Sequence, residues 1–196
     1  VVSDVGSTKQ SALAAFAEHL PQHLPQCVAA HPIAGSDRSG ALAAQFGLYQ
    51  DKKLILCPHE TQNPEAGALV GRLWQAVGAQ IFRMSAQEHD AVFAAVSHLP
   101  HILAFAYVHQ ILDHADGATY LDFAATGFRD FTRIASSHPA IWTDICFANR
   151  DSLLKLLEGQ QRQLEKIAGL LRNGDSDGLY RYFAEAKQTR DDWLER

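Results

Sequence analysis

The sequence predicts a mainly α chain in which a short α/β segment over residues 1–84 leads into an all-helical segment over 85–196. Three observations carry this. Short apolar runs alternate with amphipathic stretches up to about residue 84. Beyond Ser85 no strand-like run recurs. From there to the C-terminus the apolar residues return at helical spacing.

Taken in order, Val1–Asp4 reads as a strand ending in a turn, and Lys9–Leu20 carries Leu13, Phe16 and Leu20 at helical spacing. Gln26–Ala30 is a second strand, ended by His31-Pro32. Lys53–Cys57 is a third, ended by Pro58. Pro64–Val77 is an amphipathic helix with Leu69, Leu73 and Val77 four apart, and Gln80–Arg83 is a fourth strand. Ser85 is suited to cap the next helix, with Glu88 as its capping-box partner. That helix is expected to end near Val96. A new one starts at Ser97–Pro100, where proline is tolerated in the first turn, and stops near Gly117. Helical segments follow at about 119–136, 138–148, 150–172 and 176–195. In the long 150–172 segment Leu153, Leu157, Leu164, Ile167 and Leu171 lie near a heptad seam, which suits core or subunit contact. No linker separates the two halves, so close packing between them is expected.

The 196 residues are 47% hydrophobic and 20% charged, which is ordinary globular composition. A chain of this size buries roughly 70% of its unfolded surface and needs no disulfide to hold a core. Cys27, Cys57 and Cys146 are widely spaced and odd in number, which suits a reducing cytoplasm. A net charge of −5 without a basic tract argues against nucleic acid as a partner. No apolar run is read as a membrane span, so no membrane partner is expected. Val1 is not Met and opens on a strand that is not stable alone, so the chain reads as a fragment.

Four clusters have the residue types that chemistry needs. Asp4-Val5-Gly6-Ser7-Thr8-Lys9 follows a strand, where ligands of doubly wound sheets sit; taken alone it reads rather as a turn with a Ser or Thr helix cap. His31-Pro32-Ile33-Ala34-Gly35-Ser36-Asp37-Arg38-Ser39-Gly40 is a loop that can hold an imidazole over a ligand, or leave it solvated. Ser97-His98-Leu99-Pro100-His101 puts two histidines on one helical face. Glu88 and His89 are at hand as further metal donors, but H-E-x-x-H is absent and no metal is expected. Gly127–Ala135 places Arg129 and Arg133 four apart with Asp130 beside them. This is either a surface ion-pair face or a carboxylate clamp, since guanidinium matches carboxylate bidentately. Phe128, Phe131 and Ile134 predict that this helix is largely buried.

In order along the chain, DVGSTK, HPIAGSDRSG, SHLPH with ILAFAYV, and GFRDFTRIASSHPAIWTDICFAN resemble the motifs of the prephenate/arogenate dehydrogenase family over roughly residues 1–150. The resemblance implies a Rossmann-type nucleotide-binding domain, of which 1–84 is the C-terminal part, and an all-helical substrate-binding and dimerisation domain over 85–196. No G-x-G-x-x-G is present, so the dinucleotide fingerprint is expected to precede Val1 by ~100 residues, and the chain by itself is expected to be inactive. The implied cofactor is NAD, with NADP left open. The implied reaction is oxidative decarboxylation of prephenate in tyrosine synthesis, with arogenate-preferring and dual-specificity enzymes as the alternative.

By the same resemblance His31 is the base that takes the ring hydroxyl proton, and Ser7 orients it. Arg133 binds the ring carboxylate, and His101 and His98 lie near the substrate side chain. Ser36, Asp37, Arg129, Asp130 and Trp142 line or gate the pocket; Val5, Gly6, Ser7 and Pro32 adjoin the cofactor. A homodimer through the helical domain and tyrosine as a feedback inhibitor are also implied. A rival is a non-catalytic dimerisation and tyrosine-sensing module, and a more distant one a histidine-rich metal hydrolase.

Overall fold

A computed structural model of the chain describes residues 1–35 and 40–195. A four-stranded sheet runs in the order β1 (Val2–Ser3), β2 (Cys27–Pro32), β3 (Lys53–Cys57), β4 (Gln80–Arg83). The β1–β2 and β3–β4 pairs are parallel, and β2–β3 is antiparallel with His31 opposite Ile55. Strand side chains alternate between faces. Val28, Ala30, Leu54 and Leu56 therefore meet α2 (Pro64–Ala76) through Ala66 and Val70. Ala29, Ile55 and Cys57 face the other way, toward α1 (Gln10–His19) and α3 (Ala86–Phe93), where Leu13, Phe16, Ala86 and Phe93 complete a second core.

Local chemistry explains several element ends. Asn63 caps α2 by accepting from the Glu65 N–H (2.9 Å), with Pro64 in the first turn. Ser85 caps α3 through the Glu88 N–H (3.1 Å). Gly78, between α2 and β4, has φ +91°, and a Cβ there would lie 2.3 Å from Gln50 Oε1, so that turn requires glycine.

Several expectations are corrected. β2 extends through His31 and Pro32, so the histidine sits on the strand rather than beyond it. The two helices expected on either side of Ser97 are one run. α3 passes through a π turn (Ala94–His98) into α4 (Leu99–Leu112). Pro100 cannot donate to the carbonyl four residues earlier, and the wider turn falls on the residues whose bonding that disturbs. The joined run, Ala86–Leu112, is by length and composition long and apolar enough to cross a membrane, contrary to the sequence reading. Its polar residues His89, Asp90 and His98 are buried, and Asp90 accepts from the Lys9 N–H and from the Asn149 amide within the fold.

The segment expected as one helix over 119–136 is three pieces: α5 (Gly117–Asp122), α6 (Thr126–Thr132) and a 3₁₀ turn (Arg133–Ser136). None of Phe128, Phe131 and Ile134 is fully buried, and Phe131 is half exposed. α7 (Pro139–Ala148) and α8 (Arg150–Arg172) follow, then α9 (Ser176–Leu194).

The chain divides into two compact units, Val1–Leu153 and Leu154–Arg196. The second is a helical hairpin. Gly174, with φ +64°, ends α8, and Asp175 accepts from the Gly178 N–H (2.8 Å) to start α9. The hairpin is tied by the Tyr182 hydroxyl donating to Gln163 Oε1 (3.0 Å) and by the Lys166 ammonium over the Tyr182 ring.

Candidate functional site

The site gathers at the carboxyl end of β2, in the first unit. Strand alternation turns His31 to the face that holds Ala29 and Ile55, and so toward α3. There its ring meets the edge of Phe93 (centroids 5.0 Å apart) and its Nδ1 lies 2.8 Å from His89 Nε2. His89 is fully buried, and its Nδ1 lies 2.8 Å from Asp90 Oδ1. Asp90, also fully buried, accepts from the backbone N–H groups of Lys9 (2.7 Å) and Gln10 (3.0 Å). It thus caps α1 from 81 and 80 residues away. A carboxylate at a helix N-terminus answers unpaired donors and the helix dipole together. The cap expected from Ser7 or Thr8 is absent; Thr8 Oγ1 instead pairs with Ser11 Oγ (2.7 Å). These donors, with the His89 imidazole first, hold the Asp90 carboxyl below its usual range although burial opposes them.

Lys9 is the other buried charge. Its ammonium is bonded to the Asp4 carboxylate and to the Ala30 carbonyl (2.6 Å), and Asp4 Oδ1 accepts from the Ala30 N–H (2.9 Å). Burial lowers the Lys9 pKa, and the Asp4 contact opposes the shift. The DVGSTK loop is thereby fastened to β2 directly before His31. Burial, reinforced by His89 and Lys9, lowers the His31 pKa to about 3, so the ring is neutral near pH 7.

A second group stands on the π turn and α4. His98, 1% exposed, meets the edge of Trp142, and His101 stacks on the same indole with centroids 3.6 Å apart. The amide nitrogen of Asn149 donates to the Asp90 carbonyl (2.7 Å) and reaches His98 Nδ1 (3.3 Å). Burial lowers the His98 pKa to about 4, so the ring is neutral. With Nδ1 accepting from Asn149, its proton is on Nε2. That atom is buried and has no hydrogen-bond partner among the described residues. An unanswered buried donor costs about 1–3 kcal/mol, which an acceptor on a ligand would remove.

The other expected site residues are distributed unevenly. Val5 and Gly6 are exposed on the loop after β1, and the Gly6 N–H donates to Asp4 Oδ2 (2.9 Å). Ser7 is half-buried in the same loop; among the described residues no hydrogen bond joins it to His31. Pro32 ends β2 beside Leu54. Arg133 opens the 3₁₀ turn, exposed, close enough to His101 to lower that ring's pKa after burial and against its Ser97 carbonyl bond. Arg129 and Asp130 are 78% and 71% exposed, with Nε and Oδ1 3.9 Å apart, so they form a surface pair rather than part of a buried helix. Ser36 and Asp37 lie outside the described residues. Among the described residues no cluster of three or more potential metal donors occurs.

Sequence reasoning passed over Asp90 and Asn149 and treated His89 only as a spare metal donor. The available signal was His89-Asp90 itself, two polar residues between Ala86 and Phe93 on the inward face of a helix, where burying polar groups demands partners.

A parallel strand pair with its loop open at the carboxyl end, joined to helices that carry further site residues, defines the class: a nucleotide-binding α/β domain continued by a helical domain. The family profile described as "Prephenate dehydrogenase, nucleotide-binding domain" matches residues 1–83, and "Prephenate dehydrogenase, dimerization domain" matches residues 85–185. The chain belongs to the prephenate dehydrogenase family. It is 40% identical over 193 residues to the prephenate dehydrogenase of Bacillus subtilis (strain 168), covering 97% of this chain and 52% of that protein. It is also similar to the crystal structure of prephenate dehydrogenase from Aquifex aeolicus in complex with hydroxyphenyl propionate and NAD+. There the TM-score is 0.89 at 35% identity, covering 98% of this chain and 66% of that one. Synechocystis arogenate dehydrogenase gives a TM-score of 0.80 at 27% identity, over 98% of this chain and 69% of that one. The chain thus spans about half the length of the Bacillus relative.

Proposed function

We propose that the whole protein carries out the NAD-dependent oxidative decarboxylation of prephenate to 4-hydroxyphenylpyruvate, a step of tyrosine synthesis. The observation that carries this reading is a pair of neutral imidazoles, His31 and His98, the second with a buried N–H that has no partner among the described residues. Such a site accepts a proton at one ring and binds a ligand oxygen at the other. The motif resemblance, the Bacillus relative and the Aquifex complex support the substrate and the cofactor.

The residues at the carboxyl end of β1 fit the nicotinamide end of the cofactor. Val5 is 60% exposed and offers apolar surface. Gly6 lacks a Cβ, which would lie 3.1 Å from Asp4 Oδ2, so the loop allows close approach. Val5, Gly6, Ser7 and Pro32 are the residues assigned to hold it. Bound there, NAD+ supplies the acceptor for the hydride from C4 of the substrate ring.

His31 takes the proton of the C4 hydroxyl as that carbon is oxidised. A hydroxyl on a carbon that is losing hydride becomes a protonated carbonyl, a strong acid, so a base with a lowered pKa suffices. Loss of CO₂ from C1 then leaves a phenolate oxygen, to which His31 returns the proton. Arg133 is assigned the ring carboxylate, with His101 and His98 toward the side chain. Ser36, Asp37, Arg129, Asp130 and Trp142 line or gate the pocket, and Ser7 completes the hydroxyl end. The described geometry supports His98 and Trp142 most directly. The exposure of Arg133 and Arg129 in a single chain is consistent with a homodimer through residues 85–196 that completes each site. Residues 1–84 are assigned to the nucleotide-binding domain, tyrosine to feedback inhibition, and the cytoplasm as the compartment.

A second reading, preference for arogenate or use of both substrates, is favoured by the resemblance to Synechocystis arogenate dehydrogenase. Steady-state kinetics with both substrates separates the two. In the whole protein His31→Asn is expected to lower kcat about 10²–10⁴-fold with KM little changed. Arg133→Gln is expected to raise KM by about tenfold or more through loss of a charge-assisted bond. If both variants keep kcat/KM within a few-fold of wild type, the assignment of roles is wrong.

A further inference from the structure

We propose that His89, backed by Asp90, is a positioning residue that fixes His31 in the tautomer with its proton on Nδ1, leaving Nε2 as the proton acceptor. The proposal deepens the reading of His31 as the base and rests on it.

The order of the hydrogens starts at Asp90. This carboxylate has no proton to give, and four donors converge on it: the N–H groups of Lys9 and Gln10, the Gln10 side-chain amide (3.2 Å) and the ring of His89. A carboxylate in this setting accepts only. His89 Nδ1, 2.8 Å from Oδ1, must therefore carry the hydrogen. His89 is taken in its neutral form, in which the other nitrogen is then an acceptor. His89 Nε2 faces His31 Nδ1 at 2.8 Å, so the hydrogen between them belongs to His31. His31 in turn is neutral, and its Nε2 is left with a lone pair. With His89 neutral, each assignment leads to the next, and the direction of the chain starts from one buried carboxylate.

The geometry leaves little room for the opposite order. His89 and Asp90 are wholly buried, so no solvent is at hand to replace either bond. His89 is also held by Phe93, with ring centroids 4.5 Å apart, which restricts its rotation. When His31 accepts a proton at Nε2, its Nδ1–H remains bonded to His89, and the Asp90 charge stands behind both rings. No proton needs to pass along the chain. His89 and Asp90 orient and stabilise, while His31 alone exchanges a proton with the substrate.

The test reads the tautomer directly and the rate separately. Long-range ¹H–¹⁵N spectra of the whole protein, labelled in histidine, distinguish the protonated from the bare ring nitrogen. Wild type is expected to show His31 protonated at Nδ1 and bare at Nε2. His89→Leu is expected to shift His31 to the other tautomer or to a mixture, and to lower kcat about 10²-fold with KM within about threefold. His89→Gln, whose amide oxygen can accept from Nδ1, is expected to recover most of the rate. A wild-type His31 protonated at Nε2 overturns the proposal, whether or not the leucine variant folds. So does a His89→Leu protein with an unchanged spectrum, or one whose kcat stays within threefold while His31→Asn abolishes activity. If instead His31→Asn retains the wild-type rate, the reading of His31 as the base fails and takes the catalytic half of the proposal with it. The spectrum alone then decides the tautomer.

Discussion

The first unit of the chain buries polar groups that a protein ordinarily keeps in water, whereas the second has no fully buried residue among those described. In Val1–Leu153, Lys9, His89, Asp90, His98 and Asn149 are all inside, and each is bonded. In the hairpin from Leu154 no described residue is fully buried, and Leu164, Leu171, Phe183 and Trp193 are more than half exposed. The difference teaches where each part finds its stability. The first bonds its buried polar groups to one another and leaves His98 Nε2 and Gln62 Oε1 without a partner among the described residues. The second displays apolar surface whose burial requires another surface, which fits the proposed homodimer.

Removing Asp90 should break this contrast most severely. Asp90→Ala leaves the His89 ring N–H and the Lys9 backbone N–H buried without an acceptor, and the part-buried Gln10 N–H unpaired. Loss of about 3–5 kcal/mol of stability is expected in urea unfolding of the whole protein. A loss below about 1 kcal/mol would mean that water replaces the carboxylate and that the interior is wetter than described.

Charging the exposed stripe of the hairpin should act on the opposite side. Leu164 and Leu171 are seven residues apart on α8 and contribute little to the fold of one chain. Leu164→Glu with Leu171→Glu is expected to weaken self-association by more than about tenfold in sedimentation, with helix content unchanged, since each charge opposes apolar contact. Unaltered association would place the partner surface elsewhere.

The smallest effect is a pH dependence. The folded pKa of His98 is about 4, against an ordinary value of 6.5. Below pH 6.5 the unfolded chain binds a proton that the folded one refuses. Stability is therefore unaffected above that pH and lost as pH falls toward 4, with a slope approaching ~1.4 kcal/mol per pH unit. The urea midpoint of wild type between pH 7 and 5 should fall more steeply than that of His98→Gln, and equal slopes would contradict the burial of a neutral ring.

Much of the architecture was legible along the chain because its causes are local. The short apolar run KLILC, ended by Pro58, marks β3, the Ser85–Glu88 cap is written in four residues, and α8 spans the 150–172 segment expected of it. The four ordered motifs also sufficed for the family. Elements failed to be legible where a distant residue intervened. Pro100 suggested a helix start, yet the helix continues, because packing of Ala86 and Phe93 on the sheet and of His98 on Trp142 holds both sides of the π turn.

What the sequence determined by itself is a set of segments and the identity of the imidazole at the end of β2, since strand and helix periods and capping act over a few residues. What tertiary structure alone decided is the surroundings of that imidazole. The start of α1 carries no cap of its own, and only folding brings Asp90 to it across 81 residues, together with His89 toward His31. The physical reason is desolvation: a donor at the chain's own helix end becomes costly only when the fold removes its water, and only then does a carboxylate so far along the chain become its necessary partner.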